Sequence, residues 1–474
     1  MFAYLLGSDI LFAVSVANRN YLMSIFKEIK NDSNFIRKLT GLALPIAFQS
    51  FMLASVAASD TIMLGSLAQN AMSAVSLASQ VQFVQNLTVM GIIAAFQVLG
   101  AQYAGRGDRD KLNRLFCMAL RICVIVSAVF AYLCYFKPSF LMHIFTDEES
   151  LAEIGIGYLR IAAVSYLITG ISQPLIALIK LGRKTSVVAY ISGVAVVLNI
   201  ALNAIFIFGL LGLPQMGVSG AALATVISRI AELVLAVVFS IRDETIRPRL
   251  SALFSFSRSL SADFIRQLIP LLCAYVIWTL GYSSYSAFLG HMGVDAAAAN
   301  SVASVLRNLV GCFMKGLAGG SSILIGNELG QGNLGKAKLY GDRLMIISLI
   351  CGVFSSVLII LSVPVALRVM KLSYMAERNL IAMSAVLSIY MIGASFNSVV
   401  INGMFASGGD TLFDCYSIIV TMGCIAVPLA AVGTFFFGWP VAVVYGCTCL
   451  DEVGKIPWTV YHYKKYKWLK DLTR

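Results

Sequence analysis

Apolar runs of twenty residues or more, broken by short polar, basic or glycine-rich links, set the pattern of this chain. Twelve of them follow one another, at about residues 40–66, 76–104, 115–136, 156–180, 187–209, 216–240, 266–290, 298–327, 342–367, 379–405, 412–436 and 438–462. A helix rising 1.5 Å per residue through such a run crosses the ~30 Å hydrocarbon layer of a bilayer. None shows the alternation of about ten residues that marks an outer-membrane strand, which excludes a β-barrel. The pattern predicts an all-α integral membrane protein with twelve transmembrane helices.

The links are mostly short, as antiparallel neighbours require. The longest divides the chain into two sets of six. The expected organisation is an amino-terminal segment over 1–39, an N-lobe over 40–240, an inter-lobe linker over 241–265, a C-lobe over 266–462 and a basic tail over 463–474. Residues 1–22 are apolar but short and lack a positive n-region, and Met23 opens a more ordinary start. An upstream start codon or a frayed tail is expected there, rather than a cleaved signal peptide.

Composition agrees with the pattern. The chain is 59% hydrophobic and 12% charged, against about a quarter charged for soluble proteins. Its net charge is +12, but the basic residues lie between spans, so they report topology and contact with anionic lipid, not nucleic acid. One side collects Arg37 and Lys38; Arg106, Arg109 and Lys111; Arg183 and Lys184; Arg242, Arg247 and Arg249; and the tail from Lys464. The other side has Lys137 with Glu148 and Glu149, and a less regular basic loop at Arg368 and Arg378. The positive-inside rule places both termini in the cytoplasm and the protein in the cell (inner) membrane. The ten cysteines have no framework spacing and read as small interior hydrophobes.

The two halves are related. Shifting by 225 positions without a gap carries Pro45 onto Pro270, Gly65 onto Gly290, Ser79 onto Ser304 and Gly91 onto Gly316. It also carries Gly105, Gly107 and Lys111 onto Gly330, Gly332 and Lys336. Six spans per half put both halves in the same orientation. The repeat is therefore parallel, with a pseudo-two-fold axis along the membrane normal and a central cleft between the halves, as in secondary transporters that rock around a midplane site.

These residues resemble a known family. D-T-I-M-L-G from Asp60, G-R-G-D-R-D-K from Gly105, L-N-I-A-L-N-A from Leu198, G-V-S-G-A-A-L-A-T from Gly217 and G-G-D-T from Gly408 are similar in kind and order to those of MATE, the multidrug and toxic compound extrusion transporters. The resemblance covers about residues 35–460. It implies a twelve-helix, two-lobe fold and export of small organic, often cationic, compounds in exchange for H⁺ or Na⁺, with no cofactor and no enzymatic activity. The expected partners are those substrates and membrane lipid, with no nucleic acid, and the expected state is a monomer.

Asp60 is the acid the rest is read around. A carboxylate inside a span is costly and marks an ion pathway or proton relay. Asn199 and Asn203 are four apart and share a face of span five. Counted from Lys184, they lie about 22 and 28 Å along it, with Asp60 and Thr225 at a similar level. These four match the family's amino-lobe cation site. The position of Asn203 is often an acid in the family. With a single carboxylate, H⁺ is the expected coupling ion, and Na⁺ at Asp60, Asn199 and Asn203 is the alternative.

The shift carries Asp60 onto Tyr285, and the positions where the NorM-like branch holds acids read Trp278 and, near span ten, Ser395. The pattern is therefore closer to the DinF-like branch, with coupling expected from the first lobe alone. Gln49, Gln82 and Asn86 with Trp278, Tyr282 and Tyr285 are candidates to line the substrate cleft. Lys315, mid-span in span eight, is expected to face that cleft. Arg307 is placed to snorkel, and Glu328 reads as a solvated gate or loop residue. The basic pair Arg307 and Lys315 favours one other reading, a lipid-linked oligosaccharide flippase. The three histidines lie near span ends with no H-x-x-x-H or nucleophile-elbow pattern, which speaks against a membrane-embedded enzyme.

Overall fold

The computed structural model describes residues 32–65, 69–146, 148–244, 247–254, 257–370 and 372–473. The amino-terminal residues through 31 and the side chain of Asp60 lie outside them. Among the described residues there is helix and no strand.

Among the described residues, eleven helices are long and apolar enough to span: α1 Ser33–Gly65, α2 Gln69–Arg106, α3 Arg109–Phe136, α4 Glu149–Leu181, α5 Thr185–Phe208, α6 Gly217–Arg242, α7 Arg258–His291, α8 Val294–Gly330, α9 Leu334–Val369, α10 Tyr374–Asn397 with a π-helical continuation Ser398–Phe405, and α11 Thr411–Ile418 continuing through π-helical Ile419–Ala426 into Val427–Phe435. The twelfth apolar run is helical but broken. We call its three pieces together α12: Val441–Thr448, Leu450–Val453 and Ile456–Tyr463. Several helices overrun the expected spans by one or two turns. The linker is correspondingly shorter, because α6 ends at Arg242 and α7 opens at Arg258.

A bilayer explains the outer surface. Ile125, Val129, Tyr132 and Phe136, three or four apart on α3, are each more than half exposed. In water such a stripe would drive aggregation; in lipid it is solvated.

The chain forms two compact units, Phe48–Leu268 and a second that joins residues up to Ala47 with Ile269 onward. Each repeats the other's packing. In the first, α3 packs on α4, α4 on α6, α5 on α6, and α2 on both α3 and α4. In the second the same pairs recur six helices later: α9 on α10, α10 on α12, α11 on α12, and α8 on both α9 and α10.

The turns repeat as well. At the end of α2, Gly107 (φ 81°) lets its own N–H reach Ala104 O and the Asp108 N–H reach Tyr103 O. At the end of α8, Gly332 (φ 76°) does the same for Leu329 O and for Asn333 to Glu328 O. This is the Schellman closure of a helix, which glycine adopts without a Cβ penalty.

The units depart from the expected halves at α1. Its opening turns, through Ala47, pack in the second unit, where Phe35, Leu39, Leu42 and Ile46 join Leu317, Leu324, Phe396 and Phe405 in one core. Small residues permit this approach. A Cβ on Gly316 would come 2.5 Å from Ala47 Cβ and 2.6 Å from Ala43 O, and one on Gly320 3.0 Å from Ala43 N. Asp32 fixes the entry to α1: its carboxylate accepts from Phe35 N–H at 2.9 Å and pairs with Arg343 at 2.7 Å. The Phe35 N–H, and then Arg343, hold the Asp32 carboxyl below its ordinary value of 3.8.

Two outcomes follow. Gly316→Val forces α1 off α8 and should lower thermal stability of the detergent-solubilised protein by about 1–3 kcal/mol, as overpacking does. Asp32→Ala removes a helix cap worth about 1 kcal/mol at neutral pH. Because the folded carboxyl titrates low, its stabilisation is present above the ordinary value and lost as pH falls through the depressed one. The difference between Asp32→Ala and the parent in thermal unfolding should therefore shrink in acid.

Candidate functional site

The amino-terminal unit gathers its interior amides in one place. Asn199 and Asn203 on α5 are 4% and 0% exposed. The Asn203 amide donates to Asn199 Oδ1 at 3.2 Å, and the Asn199 amide donates to Ser228 Oγ on α6 at 3.3 Å. Ser228 donates to Thr225 O at 2.9 Å, and Thr225 Oγ1 to Ala221 O at 3.0 Å. The i, i+4 spacing aligns the two amides, and Gly220, where a Cβ would come 2.8 Å from Phe206 C and O, lets α6 approach α5. Asn199 and Asn203 are thus brought together with Ser228, while the Thr225 hydroxyl is satisfied within α6. Asp60 is helical in its backbone, five residues before the end of α1 at Gly65, and its side chain lies outside the described residues.

The cleft candidates divide. Gln49 is 6% exposed and donates to Ser192 Oγ on α5 at 3.0 Å, so it ties two helices together. Gln82 and Asn86 are half-buried on α2. Between them Gln85, which sequence reasoning passed over, is fully buried and donates to Ser127 Oγ at 3.1 Å and Tyr166 O at 3.0 Å, joining α2 to α3 and α4. Trp278 and Tyr282 stack at 5.4 Å and are half-buried. Tyr285 is buried among Ile418, Met422 and Ala426 of α11.

Three charges also find their places. Lys315 is exposed. Arg307 does not snorkel: it donates to the Tyr282 hydroxyl and lies 4.5 Å from that ring and 5.9 Å from Tyr390. Glu328 is 3% exposed rather than solvated, because the α8 turn folds Lys336 back onto it at 2.8 Å and Asn333 at 3.2 Å.

The carboxyl unit holds a polar cluster that the sequence reading missed, although D-E-V-G-K inside an apolar run was its signal. Lys455 Nζ pairs with Glu452 at 3.2 Å. The Asn397 amide donates to Glu452 O at 2.6 Å and to its carboxylate at 2.8 Å, and Thr459 donates to Asn397 Oδ1 at 3.2 Å. Asp451, beside them, is 3% exposed.

Two repeated six-helix units with polar groups gathered inside each, in an otherwise lipid-facing molecule, define a membrane transporter of the two-repeat kind. The family model described as MatE matches residues 45–205 and again 270–432. The chain belongs to the MatE family, a family of transporters and not of enzymes.

Among curated relatives, it is 22% identical to the uncharacterized transporter YisQ of Bacillus subtilis, over 90% of this chain and 94% of that protein. It is 26% identical to the multidrug resistance protein NorM of Vibrio cholerae, over 64% of this chain and 65% of that one. It is 25% identical to the probable multidrug resistance protein NorM of Pasteurella multocida, over 83% and 85%. The fold is that of an outward-facing multidrug resistance MATE transporter of the MOP superfamily, at TM-score 0.83 and 17% identity, with 92% of this chain and 96% of that one covered.

The buried Lys455–Glu452 pair makes a test of its own. Removing one partner strands a charge, so Lys455→Met should cost about 3–5 kcal/mol in thermal unfolding, and the Lys455→Met, Glu452→Gln double variant distinctly less.

Proposed function

We propose that this protein is a secondary antiporter that exports small organic, often cationic, compounds across the cytoplasmic membrane in exchange for H⁺. Asp60, Asn199, Asn203 and Thr225 form its coupling site, and both termini are cytoplasmic. The observation that carries this is a register. Gln49 meets Ser192 side by side, and α1 and α5, both odd-numbered spans, run in the same direction. Asp60 is eleven positions beyond Gln49, and Asn203 eleven beyond Ser192. Eleven residues are three helical turns, about 16 Å, so both return to the face they started from and stand level. An acid at that depth is costly without a cation or proton, and a neighbouring amide ladder lowers the cost of either.

The multidrug resistance relatives support the substrate class. Rocking of two repeats around a midplane site supplies the exchange. Protonation of the Asp60 carboxylate removes its charge, and binding of a cation from the other side requires that charge back, so the two loads exclude one another.

Reconstituted in liposomes, the full chain should export a fluorescent organic cation under an imposed pH gradient, and Asp60→Asn should abolish the gradient-driven part. Equal activity in that variant removes Asp60 from the mechanism, and export driven only by a Na⁺ gradient replaces H⁺ with Na⁺.

A further inference from the structure

Asp451, in the missed cluster, lies on the sixth helix of the carboxyl unit, as Thr225 of the coupling site proposed above lies on the sixth helix of the amino-terminal unit. The two family matches are offset by 225 positions at their starts (45 and 270) and 227 at their ends (205 and 432). That offset carries Asp60 onto Tyr285; Thr225 and Asp451 lie beyond the matched stretches, each on the sixth helix of its unit. The amino-terminal unit has its acid on its first helix and a hydroxyl on its sixth. The carboxyl unit has the hydroxyl on its first and the acid on its sixth.

Both members of the exchanged pair are buried and unsatisfied. Asp451 is 3% and Tyr285 6% exposed, and neither Asp451 Oδ1 nor the Tyr285 hydroxyl has a hydrogen-bond partner among the described residues.

The backbone around them is irregular. Asp451 sits on the four-residue middle piece of broken α12, which packs against α10 and against the π-helical stretch Ile419–Ala426 of α11 that also covers Tyr285. π-helical turns are rare and concentrate at functional sites. Broken helices at membrane depth persist where they are enclosed by protein or line a pathway, and transporters use them to hold ions.

The charges facing Asp451 are already committed elsewhere. On α12, Lys455 pairs with Glu452, and Cys449 and Tyr445 are the other titratable side chains near it. On α8, Arg307 is held by Tyr282 and by Tyr390 of α10. On α11, Asp414 faces Lys455 and Glu452. An isolated carboxylate there would be a large cost. A metal ion is a poor remedy: two cationic side chains occupy the neighbourhood, and among the described residues no three His, Cys, Asp or Glu side chains converge on a metal position. A proton removes the charge and lets the acid donate to, or accept from, the Tyr285 hydroxyl.

We infer that Asp451 is a second proton-binding group, in the carboxyl unit, partnered by the Tyr285 hydroxyl when protonated. The step is a simple protonation: the carboxylate takes one proton from water on one side of the membrane and returns one to water on the other. The inference rests on the antiport reading for its use, but binding of the proton itself can be measured without transport.

The test is infrared difference spectroscopy of the full chain in lipid, between acidic and alkaline pH, in sodium-free buffer. The wild type should show a carboxylic-acid C=O band that titrates. It should be lost in Asp451→Asn, shifted in Asp451→Glu and retained in Asp60→Asn. A full set of titrating bands in Asp451→Asn overturns the inference, as does a band that answers to added Na⁺ at constant pH and not to pH. Should Asp451→Asn fail to fold, Asp451→Glu decides, and an unshifted band there overturns it. A wild type that exports no dye while the Asp451 band still titrates defeats the antiport reading and supports this one.

Discussion

Hydrocarbon offers no hydrogen bonds, and every polar group this chain carries into the membrane has to be satisfied by another part of the chain. That constraint shapes the molecule more than any single contact. Backbone groups disappear into long helices, and the polar side chains are drawn to the few seams where a partner exists. Gln49 finds Ser192, Gln85 finds Ser127 and Tyr166, and Asn397 finds Glu452 and Thr459. Each of these joins two or more helices. Specificity of packing comes from them because lipid is as apolar as the helices' own leucines and supplies no force to sort one helix from another.

The same constraint separates structural polarity from chemical polarity. An amide or hydroxyl that meets a partner is glue. An acid that does not is a candidate for work, since its cost persists until something charged or protic arrives. By that standard the amino-terminal ladder of Asn203, Asn199 and Ser228 holds α5 to α6, and Asp451 is an acid whose nearby cations are engaged with other groups.

The repeat lets one fold carry two versions of one arrangement. The packing pairs and the Schellman turns at Gly107 and Gly332 are preserved between the units, since they depend on backbone geometry and small residues.

How far the sequence could be read follows from what each feature depends on. Span number, the repeat, the turn glycines and the pairing of Asn199 with Asn203 all rest on interactions within one helix or on hydropathy over some twenty residues, and these are local. The burial of Glu328 required the chain to fold Lys336 back onto it. The conversion of Gln49 and Tyr285 from cleft candidates to interior residues required knowing which helix faced them. The membership of the opening turns of α1 in the carboxyl unit depended on Gly316 and Gly320 admitting Ala43 and Ala47. By itself the sequence determined a twelve-span, two-fold repeated membrane protein, because transfer into lipid is a property of each segment alone. Tertiary structure decided which polar residues are paired and which stand unpaired, because in a medium without water that depends wholly on the neighbours that packing supplies.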